Sequence, residues 1–359
     1  MSVIRAIGMY LPERVVGNDE LIERFGWERE FLEDKLGIHE RRIAAEGEGA
    51  ADMAVAAAED LFAKCPDLDR AAVQLLVLCT QNPDYGLPHT AALVQDRLGL
   101  ERTTACFDVG LGCSGFVYGL AIVRGMLETL GLDHALLITS DPYSKVIDPA
   151  DRGTSPLFGD GAAATWVSRA GAGGQIGAFS FGTDGAGHRN LIVEPDATGR
   201  RCLTMVGRSI FEFMLTTVPD DVARCCAANG IEQDDIDLYL LHQASNHMLS
   251  QLVRRMRLDP EAVPIRMRAT GNLVSSSIPF LIADLAREGG LAGRTALLGV
   301  PVVDTAHDAL PNDPSPGRLR RAARNARRPG SASTATRAAA SAAGSPGSTQ
   351  RPAPVCSTT

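Results

Sequence analysis

Cys113 lies in ACFDVGLGCSGFVYGL, after a strand-like run and at the head of an apolar helical run. Backbone N–H groups and the helix dipole at such a position favour the thiolate, the nucleophilic form of cysteine. Gly112 and Gly115 flank it and let a substrate approach the backbone closely. Strand, GxCxG turn and helix together point to an activated nucleophile, although a cysteine is also commonly buried and inert. His242 ends the apolar run LLHQASN, where a histidine serves as acid, base or hydrogen-bond donor, or as a satisfied core residue. Asn272 stands in TGNLVSSS before a helical pattern, where an asparagine by itself reads as a turn or cap residue.

The elements that must position these residues follow from periodicity. Val3–Tyr10 reads as a strand, and residues 19–36 carry helical spacing up to Gly37. An Ala-rich helix at about 50–63 precedes the buried strand LLVLC (75–79), and residues 90–98 are helical. Strands ACFDV (105–109) and HALLITS (134–140) enclose the helix 116–130. LFGDGAAATWVSR (157–169) reads as a Gly-centred turn followed by a strand. DLYLLHQASN, the helix 246–257, the turn and helix of 267–289 and TALLGV repeat this order in the second half. The expectation is an α/β fold of two related halves, each a mostly parallel, helix-covered sheet. Cys113, His242 and Asn272 then fall at strand ends and turns, where such folds carry their sites.

Composition bounds the rest. With 359 residues, 45% of them hydrophobic, the chain can bury a sizeable core. The net charge is −8, but residues 313–359 hold eight Arg and one Asp, so this segment is +7 and the remainder −15. An acidic body argues against a general nucleic-acid partner. No apolar run reaches membrane-spanning length, and the N-terminus lacks a secretory pattern, so a cytoplasmic location is expected. The eight cysteines form neither a disulfide framework nor a zinc pattern, and those other than Cys113 read as small apolar residues.

GCSGFVYGL, FGDGAAAT, LLHQASN and TGN…SSSIP resemble the β-ketoacyl–acyl carrier protein synthase III family of the thiolase superfamily. GIHERRIA (37–44), DRGTSPLFGDG (151–161) and YLPERVV support the resemblance, which spans residues 3–299. It implies a thiolase-like five-layer αβαβα fold, usually a homodimer, and a Cys113–His242–Asn272 triad. The implied reaction is acylation of Cys113 by acyl-CoA, then decarboxylative Claisen condensation with malonyl–acyl carrier protein. No metal or organic cofactor is implied, and acyl-CoA is a substrate.

Further residues follow from the same resemblance. Phe31, Lys35 and Arg152 fall where the family holds the CoA nucleotide. Leu87 falls in the loop that shapes the acyl pocket across the dimer. Arg254, Arg255 and Arg257 fall where a basic patch docks the carrier protein. Each has a plain structural alternative in helix packing or solvated charge.

The chain divides at the sequence level into residues 1–170 with the nucleophile, 171–312 with His242 and Asn272, and a tail, 313–359. Two departures stand out. The family's HQAN element reads HQAS, with Ser245. After Val300 the Gly-rich loop and final strand of the family are replaced by PVVDTAHDAL, and 33 of the last 47 residues are Pro, Gly, Ser, Ala or Thr. That composition predicts disorder. Loss of the loop removes an oxyanion donor worth about 10²–10³ in rate, and loss of the strand exposes a sheet edge. Two other functions stay open on this basis: a non-catalytic partner of an active synthase, and acyl transfer from Cys113 to an amine or hydroxyl.

Overall fold

Alternating apolar runs and helical patterns build one mixed sheet with helices on both faces. The computed structural model describes residues 1–299 and 355–358. The chain opens with β1 (Val3–Tyr10), β2 (Arg14–Gly17), α1 (Asn18–Phe25), β3 (Glu40–Ile43) and α2 (Ala50–Lys64). β4 (Leu75–Cys79), α3 (Thr90–Arg97), β5 (Ala105–Val109), α4 (Gly115–Leu130), β6 (His134–Asp141) and β7 (Gly161–Ser168) complete the first half. The second half contains β8 (Gly174–Ser180), the β9 (Leu191–Pro195) and β10 (Arg201–Met205) hairpin, and α5 (Gly207–Asn229). It continues through β11 (Leu238–Leu241), α6 (Asn246–Met256), α7 (Ser277–Arg287) and β12 (Ala296–Gly299) to β13 (Val355–Thr358).

The sheet order is β11-β12-β13-β8-β1-β7-β6-β4-β5. β4 pairs in parallel with β5 and β6, and β11 with β12, while β1, β6 and β8 make antiparallel pairs near the middle. Three apolar cores set the layers. Met53, Ala57 and Leu61 of α2 pack with Val94 of α3 on one face of the first half, against Leu76, Leu78 and Ile138. Phe116 and Leu120 of α4 and Ile278 and Leu281 of α7 lie between Leu75, Val77 and Leu137 on one side and Leu238 and Leu240 on the other. Met214 and Val222 of α5 and Leu249 and Leu252 of α6 cover the outer face around Tyr239 and Leu241. The one sheet curls so that its two ends supply both β layers, and the result is the five-layer arrangement that the family resemblance implies.

The structure differs from the sequence expectation in three places. The helix expected over 19–36 ends at Gly26, whose φ of 65° caps α1, and resumes as a π-helical turn, Phe31–Leu36. Of the tail expected to be disordered, residues 355–358 form β13, between β12 and β8. The edge expected to be exposed by loss of the last strand is therefore paired; the replaced loop after Val300 and the rest of the tail lie outside the described residues. Cys225, read as an ordinary apolar cysteine, is disulfide-bonded.

Candidate active site

β5 delivers the chain into the Gly110–Ser114 turn, and α4 starts at Gly115. Gly115 N–H donates to the Gly112 carbonyl at 2.8 Å, closing the turn around Cys113. Cys113 is half-buried and packs against the cluster of Tyr143, Ile147, Phe158, Leu203 and Val274. It thus stands at the N-terminus of a sixteen-residue helix with an apolar wall beside it.

His242 leaves β11 with its N–H donating to the Gly299 carbonyl of β12 at 2.8 Å. Its ring is fully buried, and neither nitrogen makes a well-formed hydrogen bond among the described residues. Burial pushes its pKa down to about 3, against a smaller opposing effect of the Val274 backbone. The imidazole is therefore neutral at ordinary pH and carries one N–H to donate.

Asn272 is held by its backbone. Its N–H donates to Leu157 at 2.9 Å, and its carbonyl accepts from Gly159 N–H at 3.1 Å, a bridge to the FGDG turn. Gly271 beside it has φ of 70°, and a Cβ there would come within 3.0 Å of the Leu157 carbonyl. Its side-chain Oδ1 accepts from Val274 N–H at 2.9 Å. An N–H donor fixes the amide orientation, so Nδ2 is the end left to donate.

Val274 links all three residues. It packs in the Cys113 cluster, donates to Asn272 and presents its backbone to His242. Its φ is 51°, a conformation that a β-branched residue avoids and that costs on the order of 1–3 kcal/mol. Nothing in the sequence marks a valine for that role.

A buried carboxylate ties the two halves together here. Asp141, at the end of β6, accepts from Gln81 N–H at 2.9 Å and from the Ser275 hydroxyl. Burial pushes its pKa up to about 6, with the donors from Ser275 and Gln81 pulling the other way. Ser275 packs over Gly115 and lies three residues after Asn272, so one carboxylate braces both the nucleophile turn and the Asn272 segment.

The remaining sequence candidates form separate groups. Phe31 stacks on Trp27 at 4.4 Å, Lys35 lies 5.6 Å from the Phe31 ring, and Arg152 lies 4.7 Å from the Trp27 ring. The sequence reading named Phe31, Lys35 and Arg152 but missed Trp27, which sits between them; its only signal was an aromatic just past the Gly26 break. Leu87 is 88% exposed, away from the Cys113 cluster. Arg254, Arg255 and Arg257 are exposed at the end of α6, with no ion pair among the described residues. Ser245 caps α6, its hydroxyl accepting from Met248 N–H at 3.2 Å, which gives the HQAS variant a structural use. No cluster of metal-ligating side chains and no helix long and apolar enough to cross a membrane occur among the described residues.

Comparison with known proteins places the chain in a family. Residues 107–185 match the model of 3-oxoacyl-[acyl-carrier-protein (ACP)] synthase III, and residues 226–300 match that of its C-terminal domain. A β-ketoacyl-[acyl-carrier-protein] synthase III of Streptomyces coelicolor is 35% identical over 83% of this chain and 88% of its own length. The corresponding protein of Rhodospirillum rubrum is 36% identical over 83% and 94%. A crystal structure of a 3-oxoacyl-(acyl-carrier-protein) synthase III superposes with a TM-score of 0.78 at 39% identity, covering 84% of this chain and 97% of that one. The priming β-ketosynthase of the R1128 polyketide pathway superposes at 0.77 with 30% identity over 83% and 91%. By sequence and by fold, the chain belongs to the β-ketoacyl-acyl carrier protein synthase III family of the thiolase superfamily.

Proposed function

We propose that this condensing enzyme takes an acyl group from acyl-CoA onto Cys113 and extends it with malonyl–acyl carrier protein. The Cys113 thiolate attacks the acyl-CoA carbonyl, and CoA leaves as its thiolate, which takes up the proton that the Cys113 thiol had released. The malonyl thioester then loses CO₂, and the electrons of the broken C–C bond become an enolate. His242 and Asn272 each donate one hydrogen bond to the thioester oxygen that bears this charge. The enolate carbon attacks the acyl thioester, a C–C bond forms, and the Cys113 thiolate departs. A neutral His242 can fill this role, since its imidazole keeps one ring N–H to donate. The thioesters supply the activation, so the cycle needs no resident cofactor.

The observation that carries the proposal is Val274, through which a nucleophile at a helix N-terminus, a neutral buried imidazole and an oriented amide share one residue. The stack of Trp27 with Phe31, Lys35 and Arg152 is the proposed nucleotide site. The arginines 254, 255 and 257 are proposed to dock the acidic carrier protein. The exposed Leu87 fits a homodimer in which this loop reaches the other subunit, and the reaction belongs in the cytoplasm.

Intact-protein mass after mixing with a panel of acyl-CoAs tests the first step. One acyl group should add to the wild-type chain and none to Cys113→Ala. A folded wild-type protein that gains no mass from any donor would overturn the reading in favour of a non-catalytic subunit.

A further inference from the structure

Beside the Asn272 segment lies a cation that the proposed reaction does not use. Arg41 of β3 is 1% exposed. Its Nε donates to the Pro156 carbonyl at 2.8 Å, and its Nη1 donates to Asn18 Oδ1 at 2.6 Å. Nη2 has no hydrogen-bond partner among the described residues. No carboxylate pairs with it there, and burial alone pulls its pKa down to about 10. Arg41 is therefore still charged at ordinary pH. Burying an unpaired cation is costly, and an apolar residue of similar size often fills such a volume with equal or better stability. Packing by itself does not account for an arginine at this position; its oriented donors do.

The bond to Pro156 falls where the Asn272 clamp begins. Pro156 has no N–H, so its carbonyl is the backbone group by which it is held. The next carbonyl, that of Leu157, accepts from Asn272 N–H at 2.9 Å, and Gly159 N–H donates to the Asn272 carbonyl at 3.1 Å. At the far end of the segment, Asp160 N–H donates to the Arg42 carbonyl at 2.8 Å. Residues 156–160 are thus strung between β3 on one side and Asn272 on the other. The stem of Arg41 also supports the residue before Asn272: a Cβ on Gly271 would lie 3.2 Å from Arg41 Cγ.

We infer that Arg41 is a positioning residue for Asn272: by holding Pro156 it sets the Leu157–Gly159 segment that aims the Asn272 amide. The inference rests on the enolate role proposed for Asn272 and adds the residue that fixes its direction. A group misplaced by about 1 Å loses up to about 10² in rate. Loss of Arg41 therefore weakens condensation and spares the acylation of Cys113.

The test measures both half-reactions with acetyl-CoA and malonyl–acyl carrier protein. It compares wild type, Arg41→Met, Arg41→Lys, Asn272→Ala and the two double variants. Intact mass follows acylation of the enzyme and formation of the β-ketoacyl carrier protein. Arg41→Met keeps an unbranched stem without the donors, and should lower kcat for condensation by about tenfold or more. Acylation, and the KM for malonyl–acyl carrier protein, should each stay within about threefold of wild type. Arg41→Lys keeps the charge without the fork and should lower condensation by about threefold or more. In the Asn272→Ala background either substitution should cost less than about twofold further, because the donor it aims is gone. Losses that multiply in the double variants, or that strike acylation as hard as condensation, overturn the inference and make Arg41 a scaffold residue. Undiminished condensation in folded Arg41→Met overturns it too. Should Arg41→Met not fold, Arg41→Lys and its double variant decide by the same criteria. A wild type that is acylated, but whose Asn272→Ala variant condenses at full rate, overturns the enolate role of Asn272 and the inference with it. A wild type that takes no acyl group overturns the acyltransferase reading itself.

Discussion

Around Cys113 the loops of both halves are tied by backbone hydrogen bonds and a buried carboxylate, whereas around Phe31 the contacts are ring faces and cations. Asn272 is clamped through its N–H, its carbonyl and its Oδ1, and Asp141 braces the segments on either side. Trp27, Phe31, Lys35 and Arg152 meet instead by stacking, and the Trp27 Nε1 has no hydrogen-bond partner among the described residues. The first arrangement fixes the donors that the proposed reaction needs, at the cost of a strained Val274. The second adapts to whatever lies on it and gains little from any one contact. Changes in the first region should therefore act on the chemical step, and changes in the second on binding.

The largest expected effect separates the half-reactions. In the proposed reaction Asn272→Ala removes one donor to the enolate, and it should lower condensation by about 10²–10³. Acylation of Cys113, followed by intact mass, should fall by no more than about threefold. Equal losses in both steps would mean that Asn272 serves the nucleophile turn and not the enolate.

The two regions also differ in how well the sequence revealed them. Cys113 and His242 drew attention because each follows an apolar, strand-like run, whereas Asn272 alone read as a turn residue and joined them only through the family resemblance; the structure gathers all three around Val274. Val274 and Asp141 were not legible. A positive φ at a valine and a carboxylate shared by two distant loops are products of tertiary packing, and neither leaves a periodic mark. Trp27 was hidden by helical spacing that continues through Gly26, although the helix itself stops there. The pairing of β13 was illegible for another reason: a four-residue strand after a long Pro- and Ala-rich run carries too little pattern to stand out.

A sharper test of the tied region uses pH. Asp141 has its pKa raised to about 6, whereas an unfolded aspartate titrates near 3.9. Between those values the folded state holds the proton and the unfolded state has lost it. Stability from this group is thus full below about pH 4 and is lost as pH rises through about 6. The loss amounts to about 3 kcal/mol. Urea unfolding of wild type and Asp141→Asn at pH 4, 5, 6 and 7 should show wild type losing stability relative to the variant across that window. A constant difference would mean that Asp141 is ionised throughout and that its donors outweigh its burial.

The smallest effect is expected at the stack. Arg152 is exposed over the Trp27 ring, an arrangement worth about 0.5–1 kcal/mol. Arg152→Ala should raise the KM for acetyl-CoA by about two- to fivefold and act on KM more than on kcat. The comparison donor is acetyl-pantetheine, which carries the same thioester without the nucleotide. If Arg152 contacts the nucleotide, the variant and wild type should handle acetyl-pantetheine alike. If the loss persists with the truncated donor, Arg152 acts through the packing of Trp27 against Phe31 and α1. The stack would then be part of the scaffold, and the contrast between a fixed centre and an adaptable entrance would have to be redrawn with both regions on the fixed side.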